Sequence, residues 1–131
     1  MAPKILVVDD EEAPRMAHTG VLERAGYSVT HAANGGDALR QVLNDPPDLV
    51  VLDLMLPDVH GVELAGAIRA VAGTARMPMV VVTGFSDAAA DLDPKRFGAS
   101  CVLTKPVTDD ELTGAVAHCL TSTVDTAPTN R

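Results

Sequence analysis

Three short, unbroken aliphatic runs set the rhythm of this chain: Ile5-Leu6-Val7-Val8, Leu49-Val50-Val51-Leu52 and Met79-Val80-Val81-Val82. Each is rich in β-branched side chains, and each is closed by a polar residue: Asp9, Asp53 and Thr83. A half-buried strand alternates apolar with polar positions. A continuous apolar run is buried on both faces, as in a parallel sheet covered by helices. Residues 28–32 and 100–104 are weaker strand candidates. Stretches of helical length lie between them. Residues 12–25 read as a helix with Pro14 in its first turn, where proline is tolerated, and Gly26 as its stop. Residues 36–44 read as a second helix, halted by Pro46-Pro47, and residues 61–71 as a third. The last covers 109–120, with Thr108 as N-cap and Asp109, Asp110 and Glu111 complementing its positive end. Residues 86–98 complete the set, but Pro94 predicts a short or broken helix there. Five strands alternating with about five helices predict a doubly wound α/β sandwich with right-handed crossovers.

Composition restricts what such a sandwich can bind. The 131 residues carry 10 Lys+Arg against 18 Asp+Glu, a net charge of −8. Only three of the basic residues are lysines, so nucleic acid and anionic membranes are poor partners for bulk electrostatics. Hydrophobic residues make up 47% of the chain, ample for a packed core, and Tyr27, Phe85 and Phe97 are its only aromatics. The core is therefore aliphatic, and stacking platforms for bases or sugars are disfavoured. Cys101 and Cys119 read as small buried hydrophobes in a reducing compartment. Neither a secretory leader nor an apolar stretch of membrane-spanning length is apparent, so a soluble, cytoplasmic protein is expected. Residues 122–131, rich in Thr, Ser and Pro, read as a flexible tail or the start of a linker after a domain at 1–121.

Ligands of parallel sheets gather at the carboxyl ends of the strands. The strand assignment brings Asp9 and Asp10, Asp53, Thr83 and Lys105 to that edge. Three neighbouring carboxylates cannot all stay ionised without help: either a pKa rises strongly or a cation binds. Few oxygen ligands, with room for water and phosphate, suit Mg²⁺ better than Ca²⁺. His18, His31, His60 and His118 lie outside the cluster, and neither cysteine has metal-ligand spacing, which disfavours zinc. A carboxylate beside Mg²⁺ can attack a phosphoryl group to give an acyl phosphate. Asp53, alone at the centre of the sheet, is the natural nucleophile. Asp9 and Asp10 would hold the metal, Thr83 would donate a hydrogen bond, and Lys105 would pair with phosphoryl oxygens. Singly, these residues have plainer readings: an acidic helix start for Asp9 to Glu12, a helix cap for Thr83, a strand exit for Lys105. Gly35-Gly36 lacks the lysine and serine of a phosphate loop and reads as turn punctuation. His60 reads as a surface-loop histidine.

Taken together, Val7-Val8-Asp9-Asp10-Glu11, Asp53-Leu54-Met55-Leu56-Pro57-Asp58 leading to Gly61, Val82-Thr83-Gly84, and Thr104-Lys105-Pro106 resemble the signatures of the response-regulator receiver domain. Gly26-Tyr27, Ala33-Asn34-Gly35 and Phe97-Gly98-Ala99 fit in order, so the resemblance spans residues 4 to 121. It implies a flavodoxin-like five-stranded sheet in the order 2-1-3-4-5. It implies that Asp53 accepts a phosphoryl group from a histidine kinase or phosphotransfer protein, and that the domain catalyses its own phosphorylation and dephosphorylation rather than turning over an external substrate. It implies Mg²⁺, with Mn²⁺ as a substitute, held by Asp10 and Asp53, by Asp9 through water, and by the backbone carbonyl of Met55. It also implies a cis peptide before Pro106 and an output switch running from Thr83. The family's aromatic switch residue is replaced here by Val102, whose χ1 is stiff. Output by reshaping of the 86–104 region is therefore expected. The output would pass to a downstream protein or a further domain, and any homodimer would use the face between the fourth and fifth helices. Met55 and Phe85 occupy the positions that flank the path of the attacking water, and their bulk should prolong the acyl phosphate. Two other readings remain: a receiver-like docking domain without phosphoryl transfer, and a Mg²⁺-dependent aspartyl-phosphate hydrolase. Met55 stands where the hydrolase would carry its second aspartate, which disfavours it.

Overall fold

The computed structural model describes residues 2–54, 56–71, 76–84 and 99–125. Five strands, β1 (Lys4–Val8), β2 (Ser28–Ala32), β3 (Leu49–Asp53), β4 (Met79–Thr83) and β5 (Cys101–Thr104), form one parallel sheet in the order β2-β1-β3-β4-β5. Between them run α1 (Glu12–Arg24), α2 (Gly35–Asn44) and α3 (Gly61–Arg69), and the chain continues into a C-terminal helix (Asp109–Asp125). The sequence candidates 86–98, with Pro94, and Phe85 and Met55 lie outside the described residues, as does 126–131.

The aliphatic runs are buried as their patterning requires. Every residue of β3 and β4 is buried, and all of β1 except Lys4. Successive strand side chains point to opposite faces, and two cores result. Leu6, Val8, Val50, Leu52 and Met79 pack under Ala38 and Val42 of α2 and Leu64, Ala65 and Ile68 of α3. Ile5, Val7, Leu49, Val51, Val80 and Val82 pack under Leu22 of α1 and Leu112, Val116 and Cys119 of the C-terminal helix. Each fully buried Val, Leu or Ile contributes roughly 1.5–3 kcal/mol, so the doubly covered strands dominate the stability. Edge strand β5 is only half-buried, and Val102 there pairs with Val81. Both cysteines are thiols, Cys119 buried and Cys101 half-buried. Among the described residues, no helix is long and apolar enough to cross a membrane.

Helix ends follow from local chemistry. Gly26, at φ 103°, donates to Glu23 O (3.0 Å), and Tyr27 N–H donates to Leu22 O (3.1 Å). This is the left-handed stop that glycine provides without a Cβ penalty, with Tyr27 packed on the core that holds Leu22. Thr108 caps the C-terminal helix reciprocally. Its hydroxyl accepts from Glu111 N–H (3.1 Å), and its own N–H donates to Glu111 Oε1 (2.9 Å). This helix runs to Asp125, past the expected end at residue 120. Apolar periodicity fades there, but no glycine or proline stop occurs before Pro128.

Candidate functional site

The sheet reverses its winding between β1 and β3, and ligand crevices open at that point beyond the strand ends. β1 delivers Asp9 and Asp10 to this crevice, and β3 delivers Asp53. The three carboxylates can each present an oxygen within 4.8 Å of the other two, the single such group of His, Cys, Asp and Glu among the described residues. Asp9 and Asp53 are each 3% exposed, whereas Asp10 faces solvent. Lys105, at the end of β5, reaches across. Its Nζ lies 3.2 Å from Asp53 Oδ2, 3.8 Å from Asp9 Oδ2 and 3.9 Å from Glu11 Oε1. Its backbone N–H donates to Thr83 O at 2.8 Å, which ties the lysine to the end of β4. Thr83 is 1% exposed and pairs in register with Thr104. The peptide joining Lys105 to Pro106 is cis. Asp9, Asp10, Asp53 and Lys105 are thus brought together at one edge of the sheet, and the Thr83 backbone adjoins them at the end of β4.

Two buried carboxylates facing one ammonium leave surplus negative charge. Burial pushes the Asp9 carboxyl up to about 6, and Asp53 adds to the rise. The N–H of Glu11, 2.9 Å from Asp9 Oδ1, and the charge of Lys105 pull against it. Burial on its own would lower the Lys105 ammonium, but the charges of Asp53, Asp9 and Glu11 outweigh it and hold the group above its ordinary value. An all-oxygen donor set with a charge deficit fits a hard divalent cation.

Several neighbours were not evident from sequence. Arg15 of α1 donates from Nη1 to the carbonyl of Asp9 (3.0 Å), bracing the turn that presents the acids. Glu11 competes for Lys105. His18, set outside the cluster by the sequence reading, is no ligand of the acidic group, yet it lies close enough for Lys105 and Asp53 to act on it. Burial, then Lys105, lowers its imidazole pKa. Asp58 accepts from Gly35 N–H (2.8 Å) and Gly36 N–H (3.0 Å) at the start of α2. These residues have no shared spacing motif. Asp58 stands more than twenty positions after Gly35 and Gly36, so no local pattern in the sequence links them.

Comparison with known proteins agrees with this architecture. The family model "Response regulator receiver domain" matches residues 5–117. Protein PilH of Pseudomonas aeruginosa is 33% identical over 109 residues, which are 83% of this chain and 90% of that protein. Sporulation initiation phosphotransferase F of Bacillus subtilis is 33% identical over 120 residues, 92% of this chain and 95% of that protein. The Bacillus subtilis alkaline phosphatase synthesis transcriptional regulatory protein PhoP is 34% identical over 130 residues, 99% of this chain, but the match spans only 53% of its length. A CheY-like receiver domain protein from Methanospirillum hungatei superposes with TM-score 0.87 at 28% identity, covering 95% of this chain and 98% of that one. An acidic crevice at the winding reversal, a lysine reaching it from the last strand, and a family match over most of the chain agree: this protein belongs to the response regulator receiver domain family of two-component signalling.

Proposed function

We propose that this receiver accepts a phosphoryl group onto Asp53 from the phosphohistidine of a histidine kinase or phosphotransfer protein, and thereby alters a surface read by a downstream protein or output domain. One observation carries the reading: Asp9, Asp10 and Asp53 converge within 4.8 Å while Lys105 Nζ stands 3.2 Å from Asp53 Oδ2. Similarity to a relative named as a phosphotransferase supports it.

Asp9, Asp10 and Asp53 would hold Mg²⁺, or Mn²⁺ in its place. The resemblance adds the backbone carbonyl of Met55. When bound, the cation supplies positive charge against the non-bridging oxygens of the phosphoryl group. The chain does the rest. A carboxylate oxygen of Asp53 forms the new bond to phosphorus as the bond from phosphorus to the donor imidazole nitrogen breaks, and that electron pair stays on the nitrogen. Lys105, already paired with Asp53, passes its charge to a phosphoryl oxygen. Thr83, at the end of the adjoining strand, donates its hydroxyl to another. Burial of Asp53 keeps competing water low, to which Met55 and Phe85 are proposed to add. Val102 in place of an aromatic leaves the output step to the 86–104 region.

The test is incubation with Mg²⁺ and acetyl phosphate, followed by intact-mass measurement. One phosphoryl group is expected on the wild type and none on Asp53→Asn. A wild type that takes up no group from acetyl phosphate or from any candidate kinase contradicts the reading and favours a docking role.

A further inference from the structure

The junction between β2 and α2 gives no side chain to the acidic pocket, yet both segments that supply its carboxylates are fastened to it. On one side, the carbonyl of Ala32 accepts from Asp9 N–H at 3.1 Å. On the other, Gly35 N–H and Gly36 N–H donate to the two carboxylate oxygens of Asp58 at 2.8 and 3.0 Å. First-turn amides have no acceptor inside their own helix. Here Asp58 satisfies two of them, and the Asn34 side chain accepts from a third, Asp37 N–H, at 2.8 Å. The approach is close enough that a Cβ on Gly35 would collide with Val59 Cγ1. Asp58 sits in the loop that leaves Asp53. That loop closes where Gly61 N–H meets Leu54 O at 3.0 Å, and Leu54 N–H is in turn held by Val82 O at 3.2 Å. One short junction is therefore bonded to the loop after β1 and to the loop after β3.

We infer that Asp58 is a positioning residue. By clamping the loop after Asp53 to the start of α2, which is itself bonded to the Asp9 turn, it sets the spacing of Asp53 from Asp9 and Asp10 and so the affinity of the pocket for a divalent cation. The inference rests on the metal reading given above. It differs from a plain cap, which would stabilise α2 and leave metal affinity alone. It differs too from a field effect, in which the charge of Asp58 would attract the cation whatever its hydrogen bonds.

Mn²⁺ binding to the full chain, followed by loss of the free-ion electron paramagnetic resonance signal, separates these cases when paired with urea unfolding in EDTA. In Asp58→Ala the dissociation constant should rise roughly tenfold, as when an outer-shell partner of a metal site is lost. Asp58→Asn keeps one acceptor oxygen without the charge and should recover much of the affinity. Gly35→Ala keeps the charge but forces the loop away, and it should also weaken binding. Equal weakening in Asp58→Ala and Asp58→Asn with wild-type affinity in Gly35→Ala would overturn positioning in favour of the field. Unchanged affinity in Asp58→Ala with lowered stability would reduce Asp58 to a cap. A wild type that binds no Mn²⁺ overturns the metal reading itself, a result distinct from either.

Discussion

Alanine at Gly61 tests how tightly the loop after Asp53 is packed. Gly61 opens α3, and a Cβ there would stand 2.5 Å from Leu54 Cα, 2.7 Å from Leu54 Cδ2 and 3.1 Å from Leu54 O. The leucine methyl could rotate away, but the Cα belongs to the backbone beside Asp53. Leu54 is 4% exposed and held by its N–H to Val82 O, so it has little freedom to retreat. Restoring ordinary contact requires a shift of roughly 1 Å, and overpacking of this kind typically costs about 1–3 kcal/mol. Gly66, in the same helix, is the control. A Cβ there meets nothing within 4 Å, so Gly66→Ala should gain roughly 0.5–1 kcal/mol from helix propensity and a stiffer unfolded chain. Urea unfolding followed by far-ultraviolet circular dichroism measures both. Gly61→Ala should also slow phosphorylation by acetyl phosphate, because the displaced backbone adjoins Asp53. A Gly61→Ala protein as stable as Gly66→Ala would refute the close packing on which this reasoning rests.

Other expectations follow from the same geometry. Lys105→Met leaves two buried carboxylates without their ammonium. In EDTA its stability should fall by about 2 kcal/mol, below the usual loss for a broken buried pair because Asp9 can take up a proton, and Mg²⁺ should restore most of it in urea melts. Asp9→Asn removes a group whose folded value is raised, a charge the metal-free fold holds poorly. Wild type should match the variant below pH 3.8 and lose ground as pH rises to about 6, a window read by thermal melts in EDTA. Asp58 is the opposite case. The N–H groups of Gly35 and Gly36 hold its carboxyl below the usual range, so its contribution is full at neutral pH. The advantage of wild type over Asp58→Ala should shrink as pH falls below 3.8 through the folded value.

The strands and the edge that carries the acids were legible for a definite reason, whereas the strand order came from the family resemblance. Aliphatic runs such as Leu49 to Leu52 admit one interpretation, burial on both faces, and the polar residue that ends each run must then emerge at the sheet's carboxyl edge. Asp9, Asp10, Asp53 and Thr83 follow from that rule, and Lys105 follows from the weaker strand candidate at 100–104. Residues that act through the backbone of a distant loop have no such signature. Asp58 bonds to Gly35 and Gly36 more than twenty positions earlier, and Arg15 bonds to a carbonyl that any residue would offer. Glu11 meets Lys105 only because the lysine side chain reaches across the strand ends from β5. The C-terminal helix outran its expected end because backbone bonding continues where apolar periodicity stops. Thr121 lies past that point and returns its hydroxyl to Ala117 O at 2.9 Å.

The central claim is that Asp53, and no neighbouring acid, carries the phosphoryl group. Borohydride reduction of the protein after treatment with acetyl phosphate and Mg²⁺, followed by peptide mass mapping, reads the site directly. A single reduced residue is expected at Asp53, absent when EDTA replaces Mg²⁺ and strongly diminished in Lys105→Met. Modification at Asp9 or Asp10 in place of Asp53, or labelling of Asp53 that is indifferent to EDTA, would contradict it.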